Sequence, residues 1–173
     1  SLPNSLIGIG DGAFFNCKKL ESIELTEDVM RIGQEAFGNC SSLAYVKIPH
    51  SVTEIGAGAF TNCSSLKSID ILANIKKIKF NMFFNCNSLT CVKIPVTVKE
   101  IESNAFYGCC DLKNVEIPEG VTKIAERAFS GCTGLTSIKL PKGVTEIDFS
   151  TFEGCSSLTY IEIPEGVTRI GGS

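Results

Sequence analysis

Residues 36–58 read AFGNCSSLAYVKIPHSVTEIGAG, and residues 59–81 restart the same phrase as AFTNCSSLKSIDILANIKKIKFN. The phrase is 23 residues long and recurs in both directions without a slip. Phe14, Phe37, Phe60, Phe83, Phe106, Phe129 and Phe152 mark it. Three residues after each comes Cys17, Cys40, Cys63, Cys86, Cys109, Cys132 or Cys155, and three further on Leu20, Leu43, Leu66, Leu89, Leu112, Leu135 or Leu158. The consensus is A-F-x-x-C-x-x-L-x-x-[IV]-x-[IL]-P-x-x-[VI]-x-x-I-G-x-x. All six prolines share one column (Pro3, Pro49, Pro95, Pro118, Pro141, Pro164), with Thr26 and Leu72 as its exceptions. A unit this small cannot bury its own apolar face, but stacked units share a continuous core.

Each unit therefore reads as one coil of a solenoid, giving seven 23-residue coils and a partial one in a single array over 1–173. L-x-x-I-x-I, as in Leu43 to Ile48, alternates at its end and predicts a short parallel strand with Val46 and Ile48 inward. Proline lacks a ladder donor and ends that strand. V-x-x-I-G, as in Val121 to Ile124, predicts a second short strand. Ala-Phe is expected in a short helical turn. The residue before each cysteine is Asn16, Asn39, Asn62, Asn85, Gly108, Gly131 or Gly154. Asn and Gly share a tolerance for positive φ, which predicts a left-handed corner there.

The seven in-register copies resemble the BspA-type leucine-rich repeat, a family of surface proteins from bacteria and some protists. The resemblance covers the whole chain and weakens most in the fourth coil, where Leu72 replaces Pro, Lys79 Gly and Met82 Ala. It implies a right-handed leucine-rich-repeat solenoid with its parallel ladder on the concave side. It also implies a cell-surface or secreted adhesion protein that binds proteins of a host or neighbouring cell. A repeat consensus is a scaffold signature and names no ligand.

Composition narrows the function classes. A net charge of −3 and a pI near 5.3 lack the basic surplus of a nucleic-acid protein. No long uninterrupted apolar run suggests membrane insertion, and nothing resembles a signal peptide. Both termini fall within a repeat at nearly the same phase. The expectation is an array that is part of a longer chain, or one able to associate end to end.

Chemistry-bearing residues are sparse. The column cysteines would stack about 4.8 Å apart with parallel Cβ vectors, whereas a disulfide needs Cβ atoms about 3.5–4.5 Å apart. They are expected to be reduced and buried. Cys91 and Cys110 lie outside the column, Cys91 at an outward strand position. No C-x-x-C pair supports zinc. The one histidine, His50, stands in a turn column, and no G-x-S-x-G elbow or clustered glycine loop accompanies it. No catalytic, metal or cofactor site is expected. Asn39-Cys40-Ser41 and Asn62-Cys63-Ser64 fit the glycosylation triplet, but they are also the corner Asn and core Cys of the repeat.

Two charge columns alternate in sign at every coil. One lies in the strand (Glu24, Lys47, Asp70, Lys93, Glu116, Lys139, Glu162), the other in the returning segment (Arg31, Glu54, Lys77, Glu100, Lys123, Glu146, Arg169). Opposite charges on adjacent strands gain roughly 0.2–1 kcal/mol per pair, so both columns read first as ladders that hold coils in register. The strand column is also a candidate protein-binding face, with Tyr45, Asn114 and Tyr160 in the outward column beside it. Phe84 and Tyr107, on neighbouring coils just after the core Phe, form a second candidate patch. Phe15 and Phe149 read as end packing. Together these features point to a non-enzymatic protein-binding or adhesion module; the alternative is a spacer presenting another domain.

Overall fold

Leu43, Val46 and Ile48 can all face inward only if their segment is extended, and every coil extends there or nearly so. The computed structural model describes residues 2–172, which leaves Ser1 and Ser173 outside. We number coils by their phenylalanine, from coil 1 (3–25, Phe14) to coil 7 (141–163, Phe152). The chain is a parallel β-solenoid in which residue n pairs with residue n + 23, as in Val46 with Ile69 and Ile69 with Val92.

Two ladders run along it. The strand face carries Tyr45–Ile48, Ser68–Ile71 and Cys91–Lys93, then Ser137–Lys139 and Tyr160–Glu162. In coil 5 only a bridge from Glu116 to Lys93 remains, so this ladder is interrupted. The return face carries two-residue strands from Gly8–Ile9 to Arg169–Ile170, one per coil. Val46 and Ile48 are buried between exposed Tyr45 and Lys47, the alternation a one-sided sheet requires.

The Ala-Phe segment corrects the expected helical turn: among the described residues there is no helix, and so none able to cross a membrane. Consecutive N–H groups here alternate between two destinations. Phe37 donates to Ala59 of the next coil and Asn39 to Thr61, while Gly38 donates back to Glu35 and Cys40 back to Phe37. A helix would turn every N–H onto its own chain; stacking draws off every second one. The expected left-handed corner is present, with φ between 55° and 72° from Asn16 to Gly154. A second left-handed column precedes the phenylalanines at Gly12, Glu35, Gly58, Asn81, Asn104, Arg127 and Ser150.

The core is a stack of columns. Phe37, Phe60, Phe83, Phe106 and Phe129 are fully buried, and each ring lies nearly parallel to its neighbours. Ring centroids are 5.3–5.4 Å apart where the preceding residue of the upper coil is Ala36, Ala59, Ala105 or Ala128. The spacing opens to 5.9 Å where it is Met82 or Thr151. The small residue before each Phe thus sets how closely two coils approach. The glycine after the return strand matters likewise: a Cβ on Gly56 would overlap the backbone of Gln34 and Gly33.

Candidate protein-binding surface

The alternation of each strand places two columns, those of Val46 and Ile48, in the core and leaves two outside. Tyr45, Lys47, Asp70, Lys93, Asn114, Glu116, Lys139, Tyr160 and Glu162 are all exposed on the strand face, in register across adjacent coils. Tyr45 and Tyr160 are 43% and 60% exposed, unusual for rings and so available to a partner. The Tyr45 hydroxyl donates to Asp70 Oδ2 at 2.7 Å, and this bond raises the tyrosine pKa above its ordinary value.

That bond has a consequence for the charge column. Asp70 lies between Lys47 and Lys93, yet it accepts from Tyr45 of the preceding coil. Among the described residues the strand column forms a single ion pair, Lys139 to Glu162 at 2.9 Å. Glu24, Lys47, Lys93 and Glu116 have none.

The return column behaves oppositely. Glu100 bridges Lys77 at 2.7 Å and Lys123 at 2.9 Å, and Arg169 pairs with Glu146. Lys77 also reaches Glu102 at 3.2 Å, and Glu102 accepts the Phe80 N–H at 3.0 Å. Lys79 extends to Glu54 at 2.9 Å. With its side chain only 19% exposed, the Glu100 carboxyl is held below the usual carboxylate range by Lys77 first, then Lys123. Two columns that read alike in sequence therefore differ: from Lys77 to Lys123 and again at Glu146 and Arg169 the return column is internally paired, with Arg31 left single, whereas the strand column pairs only Lys139 with Glu162.

The second candidate patch lies elsewhere. Phe84 and Tyr107 stack at 4.8 Å with an 8° interplanar angle, and both are half-buried. Along the chain, Cys86 and Leu89 and then Cys109 and Leu112 lie between these two rings and the strand-face segments of their coils. Phe15 lies over Gly38, where a Cβ would meet its ring at 2.8 Å, and Arg127 sits 5.8 Å over the Phe149 ring.

The family model for BspA-type leucine-rich repeat regions matches residues 1–113 and 99–173, in six copies. The chain belongs to the BspA-type leucine-rich repeat family. Among solved structures it is similar to a leucine-rich repeat protein from Eubacterium ventriosum, at 30% identity and TM-score 0.86 over 96% of this chain. It spans 44% of that protein's length. It is also similar to the leucine-rich repeat protein of T. pallidum, at 31% identity and TM-score 0.78, over 95% of this chain and 73% of that one. No curated protein matches the chain.

In this BspA-type array the cysteine column does more than fill space. Each thiol from Cys40 to Cys155 donates to the carbonyl of the preceding coil's phenylalanine at 3.1–3.2 Å, as Cys86 Sγ does to Phe60 O. That carbonyl also accepts the Cys63 N–H of its own coil. All nine cysteines are free. Burial raises Cys40 to about 11 and Cys63 to about 12, which keeps them as neutral donors and poor nucleophiles. The expectation that all seven column cysteines are buried is corrected at the ends: Cys17 is exposed and Cys155 half-buried, each having lost one covering coil. Cys91 is exposed on the strand face, and His50 is an exposed turn residue.

The BspA-type array commits its corner asparagines as well. Asn62 Nδ2 donates to Asn39 Oδ1 at 2.9 Å and Asn85 Nδ2 to Asn62 Oδ1 at 3.2 Å. A glycan on Asn62 would break this chain. The bond ladder, the second left-handed column and the unequal pairing of the two charge columns were all beyond the sequence reading.

Proposed function

We propose that the chain is a non-enzymatic protein-binding module, used in adhesion by a cell-surface or secreted protein, and that it binds through the strand face. One observation carries this: among the described residues Lys77, Glu100, Lys123, Glu146 and Arg169 of the return column pair with one another, while the strand column pairs only Lys139 with Glu162 and leaves Glu24, Lys47, Lys93 and Glu116 unpaired beside two exposed tyrosines. A charge that serves register is paired with its neighbour; one that serves a partner is held out to it. Tyrosine suits the same role, offering a large amphipathic area with few torsions to immobilise. The cell-surface placement rests on the family resemblance.

The regular pairing of the return face favours the second reading, a spacer that holds another domain. End-to-end association is part of the proposal too. Phe14 and Phe152 are half-buried and Ile170 is 63% exposed, and these are the faces that a second copy or further coils would cover. The test is direct binding of the purified chain to a panel of extracellular-matrix and neighbouring-cell proteins, with Tyr45→Ala, Tyr160→Ala and the Phe84→Ala/Tyr107→Ala pair beside wild type. Loss at either tyrosine supports the strand face. Loss confined to the Phe84–Tyr107 pair moves the site to the corner, undiminished binding by every folded variant removes the tyrosines and that pair as anchors, and no binding by the wild type leaves the spacer.

A further inference from the structure

The strand face is not uniform, and its irregularity falls at one junction. Coils 1–4 turn their corner on asparagine and coils 5–7 on glycine. At the changeover Asn85 Oδ1 occupies the space where a Gly108 side chain would begin, 2.5 Å from an added Cβ. Between these coils the Phe83 and Phe106 rings are tilted by 16°, the largest angle in the phenylalanine stack. The backbone opens on the strand side as well. Thr90 donates its N–H to Lys67 and Thr136 to Lys113, but among the described residues Lys113 N–H makes no corresponding bond to coil 4. Asn114, a poor strand former, stands where the other coils carry Ser, Tyr or Cys.

The opening has a shape and a lining. Ile117 is half-buried, whereas its equivalents in the other internal coils, Ile48, Ile71, Ile94 and Leu140, are buried; the end-coil equivalents Leu25 and Ile163 are open as well. Val96, 81% exposed, stands beside it. Together with Ile94 and Pro118 they line a groove of about 650 Å³ between the strand ends of coils 4 and 5. Two carboxylates, Glu116 and Glu119, and one cation, Lys93, also line it, with Lys93 the bridge partner of Glu116 on the adjacent coil. None of the three is in an ion pair among the described residues.

We infer that this groove is the recognition site for an extended segment of a partner protein in which an aliphatic side chain sits beside a basic one. An extended chain laid between two coils points alternate side chains down and out. The downward ones meet Val96 and Ile117; the outward ones meet two negative charges against one positive. The inference rests on the protein-binding reading and narrows it to one place and one ligand chemistry.

The test titrates the chain with the peptide acetyl-Val-Arg-Val-Arg-Val-amide and with its Glu-for-Arg counterpart, following backbone amide shifts by NMR. The arginine peptide should shift the amides of Cys91–Val96 and Asn114–Glu119, and the glutamate peptide should bind about tenfold more weakly or not at all. Val96→Ser, at an exposed turn, and Glu116→Gln/Glu119→Gln, which keeps the side-chain shape, should each weaken the arginine peptide about tenfold. Equal shifts from both peptides, or no shift from either, overturn the groove. Shifts centred on Tyr45 or Tyr160 overturn it too, but leave the protein-binding reading intact. Failure of the wider reading shows separately, as no binding of the wild-type chain to any member of the protein panel.

Discussion

Reversing one charge in each column distinguishes scaffold from surface. In Glu100→Lys the carboxylate that bridges Lys77 and Lys123 becomes a third cation between them. Each pair is worth about 0.5–1 kcal/mol at this partial burial. Losing two and gaining two repulsions should cost about 2–4 kcal/mol. Lys93→Glu breaks no ion pair and only adds Asp70 and Glu116 as like-charged neighbours, for about 0.5–1 kcal/mol. Urea unfolding at low salt reads both as shifts in midpoint at constant slope. In about 1 M NaCl, where screening acts over roughly 3 Å, the gap between the variants should narrow. Acid gives a second handle. The folded-state pKa of Glu100 is depressed, so its contribution is full above the unfolded carboxylate value of about 4.3 and is lost as pH falls through the lower folded value. Wild type should lose more stability than Glu100→Gln across that window. If Lys93→Glu destabilises as much as Glu100→Lys, both columns are register ladders and the argument for the strand face collapses.

Three further outcomes follow from the packing. A thiol reagent at neutral pH should label Cys17 and Cys91 in the native protein, while Cys40, Cys63, Cys86, Cys109 and Cys132 react only on unfolding; rapid native labelling of any of these five would contradict the buried ladder. Glu35 sits at φ 50°, a conformation costly for a side-chain-bearing residue, so Glu35→Gly should raise stability by about 0.5–1 kcal/mol in thermal unfolding, and a loss would mean the glutamate has a role of its own. Met82→Ala removes a fully buried side chain, a change that spans roughly 2–5 kcal/mol. Because alanine elsewhere in the column brings coils closer, the cost should fall near 2 kcal/mol and a crystal structure should show the Phe60–Phe83 spacing fall from 5.9 Å towards 5.3 Å; a cost near 5 kcal/mol with unchanged spacing would refute the column's role.

The columns that packing constrains were legible from the sequence: Phe, Cys, Leu, the strand alternation and the Asn/Gly corner. Each admits few residue types for a single physical reason. The second left-handed column stayed hidden because stacking bonds on both sides hold Glu35, Arg127 and Ser150 where glycine would be easier. The helical turn was misread because local pattern shows the bonds a segment makes with itself and hides those it makes with a coil 23 residues away. Pairing in the charge columns was illegible for another reason. Both alternate equally well, and the difference lies in side-chain reach and in Tyr45 claiming Asp70. The groove at coils 4 and 5 left only a faint trace, in the change from Asn85 to Gly108 and in Asn114.

The core and the surface of this chain count in different units. Every column thiol and phenylalanine ring meets its like after one coil, so a deletion of 72–94 would bring Cys109 against the Phe60 carbonyl and Phe106 against Phe60 with the thiol bond restored. The outside would not heal, because Asp70 would then stand beside Glu116 and Glu54 beside Glu100. Removing coils 4 and 5 together would instead set Asp70 beside Lys139 and Glu54 beside Lys123. An array of this kind can lengthen or shorten smoothly only by coil pairs, and its copy number carries a parity.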